Sequence, residues 1–454
     1  MDRRKSFAIK ISALAVAAAF AAPAQVVAAD GDTAVQFYGH LDLSFDVITK
    51  GIKEGGSGNN PPAVGKTGWQ PDISSNLSYF GFRGDYGIGG GNKLVFQVET
   101  QVDVSATPGP NPNSQTSPAN ADTKVLGAFA SRNSFLGIAG GFGALKLGKT
   151  DAPYKLSTAR MDPFSATIGD YNSIMGNTGG DNRAEFDTRL SHAMWYESPK
   201  MSGASFSALW APGQNRAADN SINASGEPDC TGGGGTGAFV NSSTAGGVFN
   251  CTDGGFGDAF SVAGVYETGS LYGTVAYEYH HNVNRESDSA SNVGVGDEAA
   301  MKAGVQYVFT PNTIVNVIIE RMTRKGTQAD FNERQRNGSW LALTQKFGAQ
   351  DDLNLGWAHA GKTPGQPGGN PAGVTATPGS IDNASNMYTV GYKHHWDRRA
   401  NWYAVYARQA NKAGGHYDLG ASGHGITTDC KSDVNICYTG ETLQGISVGL
   451  MYSF

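Results

Sequence analysis

Past residue 29 the sequence has no apolar run approaching the ~18 residues a membrane helix needs, which removes helical membrane proteins from consideration. Cysteine is scarce, four in 454 residues, with no CxxC step and no paired histidines nearby, so a zinc site is excluded by spacing. There is no basic excess either: 34 Lys+Arg stand against 40 Asp+Glu, an acidic balance that argues against a nucleic-acid partner. Glycine reaches 63 residues, about twice the usual ~7%, yet without a collagen period or a long low-complexity tract.

What is present begins with an export signal. Arg3, Arg4 and Lys5 form a basic n-region, Ile11–Ala22 is a short apolar run, and Val27-Ala28-Ala29 puts small residues where a signal peptidase reads. Residues 1–29 are therefore expected to be removed, with Ala22-Pro23-Ala24 as a second cleavage site, and residues 30–454 to form one domain. The segment 1–29 carries four basic residues and one acid, which leaves 30 Lys+Arg against 39 Asp+Glu, a formal −9.

Period-2 alternation then runs from end to end. Val35, Phe37, Leu41, Leu43, Phe45 and Val47 alternate with Gln36, Tyr38, His40, Asp42, Ser44 and Asp46; Ile446, Val448, Leu450, Tyr452 and Phe454 alternate with small and polar residues. Each such strand has one apolar face and one wet face. Sixteen segments are predicted as strands: 34–47, 76–86, 92–104, 131–139, 142–150, 188–198, 203–211, 258–268, 271–283, 298–309, 313–324, 337–347, 351–361, 386–397, 401–411 and 441–454. The number is even, as a closed single-chain barrel requires, and most are near the ~9–11 residues of a tilted membrane strand. Short turns (Gly87–Gly91, Gly140-Gly141, Thr310–Asn312, Ala349-Gln350, Arg398–Ala400) alternate with long loops at 48–75, 105–130, 151–187, 212–257, 362–385 and 412–440. Turns on one rim and loops on the other are the two ends of an outer-membrane barrel. Phe37-Tyr38, Trp195-Tyr196, Tyr307, Phe309, Trp340, Trp396, Trp402-Tyr403 and Tyr452 gather near strand ends, as interfacial girdles or as cross-strand packing.

Three catalytic or ligand motifs fail on context. Gly445-Ile446-Ser447-Val448-Gly449 matches a nucleophile elbow, but no histidine follows it. Gly87–Gly91 lacks the helix of a phosphate loop and reads as a hairpin turn. His280-His281 and His394-His395 put adjacent side chains on opposite strand faces, where they cannot share one metal ion. Neither an enzyme, nor a cofactor, nor a bound metal is expected.

Taken together, Val35–Asp42, Phe80–Gly84, Gly89–Leu94, Arg132–Gly137, Gly141–Gly143, Leu147–Lys149, Asp162–Phe164, Arg189–Pro199 and the terminal Phe454 resemble the Gram-negative general porin family, β-proteobacterial type. The resemblance implies an all-β, 16-stranded antiparallel transmembrane barrel in the outer membrane, a homotrimer surrounded by outer-membrane lipid and lipopolysaccharide. It implies an aqueous channel for passive diffusion of ions and small hydrophilic solutes, with the third loop folded into the lumen. Basic wall residues would face acids of that loop. Arg132 and Arg189 match the wall arginines, Arg83 and Lys149 are their neighbours by strand parity, and Asp162 and Asp170 are the loop acids. Tyr79 stands where the family commonly carries another arginine, which with the −9 charge favours a weak cation preference. The terminal Phe454 matches the family's assembly signal. Physics supports inward arginines, since one at the lipid midplane costs roughly 2–4 kcal/mol; parity sets Arg83, Arg132 and Arg189 opposite Phe82, Phe135 and Leu190. The rivals are a barrel enzyme, which would need a Ser/His/acid set at one rim, and a substrate-specific channel or adhesin-like barrel binding through loops 212–257 and 412–440.

In an exported chain four cysteines default to disulfides, and sequence proximity pairs Cys230 with Cys251 and Cys430 with Cys437. Each bridge closes a short loop and adds ~3 kcal/mol or less by chain entropy. The barrel should survive reduction while its loops become protease-sensitive; four free thiols by mass spectrometry without reductant would contradict the pairing.

Overall fold

In hydrocarbon an unpaired backbone amide or carbonyl has no water to turn to, so short amphipathic strands can cross only by closing a sheet on itself. The computed structural model describes residues 33–49, 69–102, 104–105, 129–176, 186–212, 257–284, 295–325, 335–364, 382–415, 417, 419, 440 and 442–454. Among them seventeen strands form one antiparallel sheet. In chain order they are β1 (Thr33–Thr49), β2 (Trp69–Ser75), β3 (Tyr79–Gly89), β4 (Asn92–Gln101), β5 (Ser134–Gly140), β6 (Gly143–Asp151), β7 (Arg189–Glu197), β8 (Ala204–Ala211) and β9 (Asp258–Thr268). The series continues with β10 (Leu271–Asn284), β11 (Val295–Thr310), β12 (Thr313–Arg324), β13 (Asn337–Phe347), β14 (Asp351–Ala360), β15 (Ser385–His395), β16 (Ala400–Asn411) and β17 (Thr442–Ser453). Pairing of β1 with β17, from His40↔Ser453 to Ile48↔Gly445, closes the ring.

The barrel has sixteen crossings, because β2 and β3 are one crossing broken at residues 76–78, and both pair with β1. Leu77 there takes φ 55°, and the Asn76 amide turns inward to donate to Ser44 Oγ (2.9 Å) and Tyr403 Oη (2.9 Å). Side-chain bonds thus replace ladder bonds where the strand bends. The strand expected at 76–86 therefore extends back to Trp69, and those expected at 92–104 and 131–139 shrink to β4 and β5. Turns of two residues join β3–β4, β5–β6, β9–β10 and β11–β12, on the rim opposite the long connections such as 152–188 and 212–257. Residues 1–29 and all four cysteines lie outside the described residues.

Alternation sorts the side chains. Val275, Met301, Val305, Ile319, Leu341, Val390, Val448 and Leu450 are exposed on the outer face, while Phe37, Tyr266, Tyr307, Phe309 and Tyr452 stand exposed toward the short-turn rim. Such an outward apolar band flanked by aromatics is what lipid contact demands. Four residues expected in the girdles, Tyr38, Trp195, Trp340 and Tyr403, are instead buried inside. Parity also slips at two places. A bend at 131–133 precedes β5, so Phe135 points inward onto Trp195 (ring centroids 5.3 Å) together with Arg132 rather than opposite it. A register shift between β6 and β7 likewise moves Leu190 from the expected lipid face into a buried cluster with Ala152 and Leu209.

The carboxyl terminus seals the seam. Gly39 and Phe454 exchange both backbone hydrogen bonds at 3.0 Å, and the Phe454 ring covers Gly39 while contacting Phe37 (5.4 Å) and Tyr452 (6.0 Å). A ring laid over a strand glycine restores the cross-strand contact that glycine lacks. Deleting Phe454 should sharply reduce heat-modifiable, folded barrel in the outer membrane; unchanged levels would show that the seam closes without it.

Candidate functional site

The connection from β6 to β7 does not stay at the rim. It opens with a short helix, α1 (Pro153–Thr158), whose first-turn proline suits a helix start, and runs on through 159–176 inside the barrel. Met161, Phe164, Ile168, Tyr171, Ile174 and Met175 are all buried against Ile318, Trp340, Ala358, Met387 and Val405 of the wall. Each such side chain contributes about 1.5–3 kcal/mol by leaving water. The wall makes room with glycines: a Cβ on Gly391 would meet the Phe164 ring at 2.8 Å, and one on Gly304 the Met161 sulfur at 2.8 Å. Hydrogen bonds fix the register. Trp340 Nε1 donates to the Met161 carbonyl (3.1 Å), Tyr154 Oη to Glu320 Oε1 (2.7 Å), and the Gly176 amide to Glu320 Oε2 (3.2 Å). Where the loop returns, Lys302 binds Asp187 and lies 4.0 Å from the centre of the Tyr154 ring.

The loop thus leans on β9–β17, and the other side of the lumen carries a ladder of charge and aromatic rings. Arg83 donates to Gln36 Oε1 (3.0 Å) and lies over the Tyr38 ring (4.8 Å). Tyr38 Oη donates to Glu99 Oε2 (2.9 Å), and Arg132 Nε to Glu99 Oε1 (2.6 Å). Arg132 covers the Tyr79 ring (4.6 Å), which neighbours His40 (5.7 Å). Farther along, Arg189 donates to Asn133 Oδ1 (2.7 Å) and pairs with Asp151 Oδ1 (3.1 Å), which Lys155 also reaches (3.1 Å). Aromatic faces and carboxylates keep the cations extended along the wall. Lys149 sits half-buried opposite Ser134, beside the kink at Gly148.

The two acids expected on the loop are engaged by its own backbone. Asp162 Oδ1 accepts from the Phe164 amide (2.9 Å); Asp170 accepts from Ala166 through Oδ2 and from Asn172 through Oδ1, both at 2.9 Å. Their carboxylates close the loop's own turns onto neighbouring amides, Asp170 through both oxygens and Asp162 through Oδ1, as short acidic side chains do. Burial, then the charge of Asp170, push the Asp162 carboxyl well above the ordinary carboxylate range. Sequence reasoning missed Glu99 and Asp151, the acids that pair with the wall arginines, and Lys393, an inward residue of β15 in the field of Asp42 and Asp162. Period-2 parity carried that signal for Glu99 and Lys393, since both alternate with outward residues.

Asp170→Ala frees two amides at a cost of about 1–3 kcal/mol and should appear as loop motion, that is, increased open-channel current noise with little change in reversal potential. A shift in reversal potential equal to that of Arg132→Ala would mean that the carboxylate faces the pore after all.

Comparison with known proteins agrees with this architecture. The Gram-negative porin family matches residues 12–415. A relative, the major outer membrane protein P.IA of Neisseria meningitidis serogroup A, is 26% identical over 236 residues, half of each chain, so the match spans about half the length of that relative. The fold is similar to an anion-selective porin from Comamonas acidovorans (TM-score 0.62, 17% identity, 93% of this chain and 100% of that one). It is also similar to the trimer form of OmpT from Vibrio cholerae (TM-score 0.53, 13% identity, 93% and 99%). With its closed sixteen-crossing barrel and its inward-folded third loop, the chain belongs to the Gram-negative porin family and resides in the outer membrane.

Proposed function

We propose that this porin is a general diffusion channel, passing ions and small hydrophilic solutes through water between the infolded loop and the charged wall. The observation that carries the reading is the ladder Gln36–Arg83–Tyr38–Glu99–Arg132–Tyr79, a polar wall on the inner face of a barrel whose outer face is apolar. A wall touching water can hold charge at modest cost, and that charge sets ion preference. Family membership supports a channel over a barrel enzyme. The trimer form of a structural relative supports assembly as a homotrimer ringed by outer-membrane lipid and lipopolysaccharide, after export by the signal at 1–29.

The proposed selectivity determinants are the wall residues Arg83, Arg132 and Arg189 together with the inward Lys393, in place of Asp162 and Asp170, whose carboxylates are engaged by loop amides. Two arginines are matched by carboxylates, Arg132 by Glu99 and Arg189 by Asp151. Arg83 faces a neutral glutamine, and Asp151 is shared with Lys155. The five cations named here, Arg83, Arg132, Arg189, Lys155 and Lys393, outnumber the two carboxylates, Glu99 and Asp151, so this wall favours anions locally, against the weak cation preference expected from the formal −9 charge. The loops 212–257 and 412–440 of the specific-channel reading lie almost wholly outside the described residues.

In planar bilayers the protein should show a linear current–voltage relation without block by any one solute at micromolar levels. Glu99→Gln, which removes the partner of Arg132, should move the reversal potential toward anions, and Arg132→Ala toward cations. Absence of conductance by folded protein would overturn the channel reading; equal and unshifted reversal potentials would overturn the placement of the selective wall.

A further inference from the structure

Most anchors of the infolded loop are shut off from water. Met161, Phe164, Ile168 and Met175 sink into the wall, and the Lys302–Asp187 pair at the loop's return is buried. Arg160 is held differently, in the 3-10 turn Ala159–Met161 that follows α1. Its guanidinium donates to Glu267 Oε1 (2.8 Å) and lies over the Tyr272 ring (4.4 Å), while its carbonyl accepts from Gln306 Nε2 (3.4 Å). The other Glu267 oxygen accepts from Lys200 Nζ (2.9 Å), on the short connection between β7 and β8.

Parity and register bring these groups together. Tyr266 is exposed on the outer face, so Glu267 points inward, and the register aligns it with Tyr272, Gln306 and Asn316 in one polar row across β9–β12 near the short-turn rim. The Glu267 amide donates to the Gly203 carbonyl (2.9 Å), which draws the connection bearing Lys200 to the same place. The side chains of Arg160, Glu267 and Lys200 are 36%, 39% and 52% exposed, against 1% and 3% for Lys302 and Asp187. A cluster so wet adds little to global stability and weakens with salt. Its effect is local: it fixes where one turn of the loop and one charge stand. Two cations on one carboxylate leave it with one net positive charge.

We propose that Glu267 is a positioning residue for permeation. It holds the Arg160 guanidinium of the infolded loop flat on Tyr272, beside the ion path rather than across it. With Lys200 it forms a charge station at the short-turn mouth, in series with the wall of Arg83, Arg132 and Arg189. Without Glu267, Arg160 keeps its charge but loses its tether and turns toward the lumen water, where permeating anions take the place of the carboxylate. The proposal rests on the channel reading.

Bilayer recordings and hydrogen exchange on the folded full-length barrel test this together. In salt gradients at ~0.1 M, where charges act over ~10 Å, Glu267→Gln should move the reversal potential toward anions, and by clearly less in an Arg160→Gln background. At ~1 M, where screening closes to ~3 Å, both shifts should shrink. Amide exchange over 153–161 should rise in Glu267→Gln and in Arg160→Gln, with no further rise in the double variant. Lys200→Gln removes a charge without touching the loop, so it should move the reversal potential toward cations and leave that exchange as in wild type. An equal Glu267→Gln shift in both backgrounds would reduce Glu267 to a bare charge and overturn the proposal. So would exchange over 153–161 that is the same in wild type and every variant, or that rises as much in Lys200→Gln as in Glu267→Gln. Heat-modifiable migration confirms that each variant is folded. Wild type that folds without conducting would refute the channel reading, while the exchange measurement would still decide whether Glu267 holds the loop.

Discussion

Everything in this molecule follows from the demand that no backbone polar group be left unpaired in hydrocarbon. A sheet meets that demand only as a ring, which makes the seam between β1 and β17 the place where the fold is completed. The seam joins the first and last strands of the chain, so its contacts have the largest sequence separation available and are entropically the costliest to bring together. Aromatic cover of Gly39 by Phe454, with Phe37 and Tyr452 alongside, strengthens pairing where the chain has most to lose by hesitating.

Closing the ring creates an interior, and the interior then divides its work. One side receives the third loop through apolar packing against glycine-bearing strands, as in a soluble protein core. The other side remains polar, with its arginines held by Glu99, Asp151 and the rings of Tyr38 and Tyr79. At the loop's return Lys302, Asp187, Glu320 and Tyr154 add a buried ionic knot, satisfied by pairing and by the Gly176 amide. The loop is therefore fixed at both ends and along its middle.

The fold was legible because its signal is repeated sixteen times. Alternation, strand length and the inequality of the two sets of connections all depend on lipid outside and water inside, and that contrast is written into every strand. What failed was local. Phe135 and Leu190 were assigned to the lipid face by counting, but the bend at 131–133 and the register shift between β6 and β7 each reset the count. Trp340 and Tyr403 read as girdle residues because an aromatic near a strand end looks the same in sequence whichever way it points. Asp162 and Asp170 were visible as loop acids, yet nothing in their spacing shows that the amides of Phe164, Ala166 and Asn172 are the donors to their carboxylates; that depends on how the loop turns.

The glycines under the loop have a consequence for how such a channel can evolve. Bore is governed by steric seats, the absent side chains at Gly304 and Gly391 into which Met161 and Phe164 descend. The arginines proposed to set permeant preference, Arg83, Arg132 and Arg189, lie away from β11 and β15, which carry those seats, while Lys393 shares β15 with Gly391. Calibre and charge are thus separately heritable traits. A lineage can recolour the electrostatics of its wall one arginine or glutamate at a time, adapting to new solutes or escaping toxic ones, without disturbing the piece of chain that sets the width.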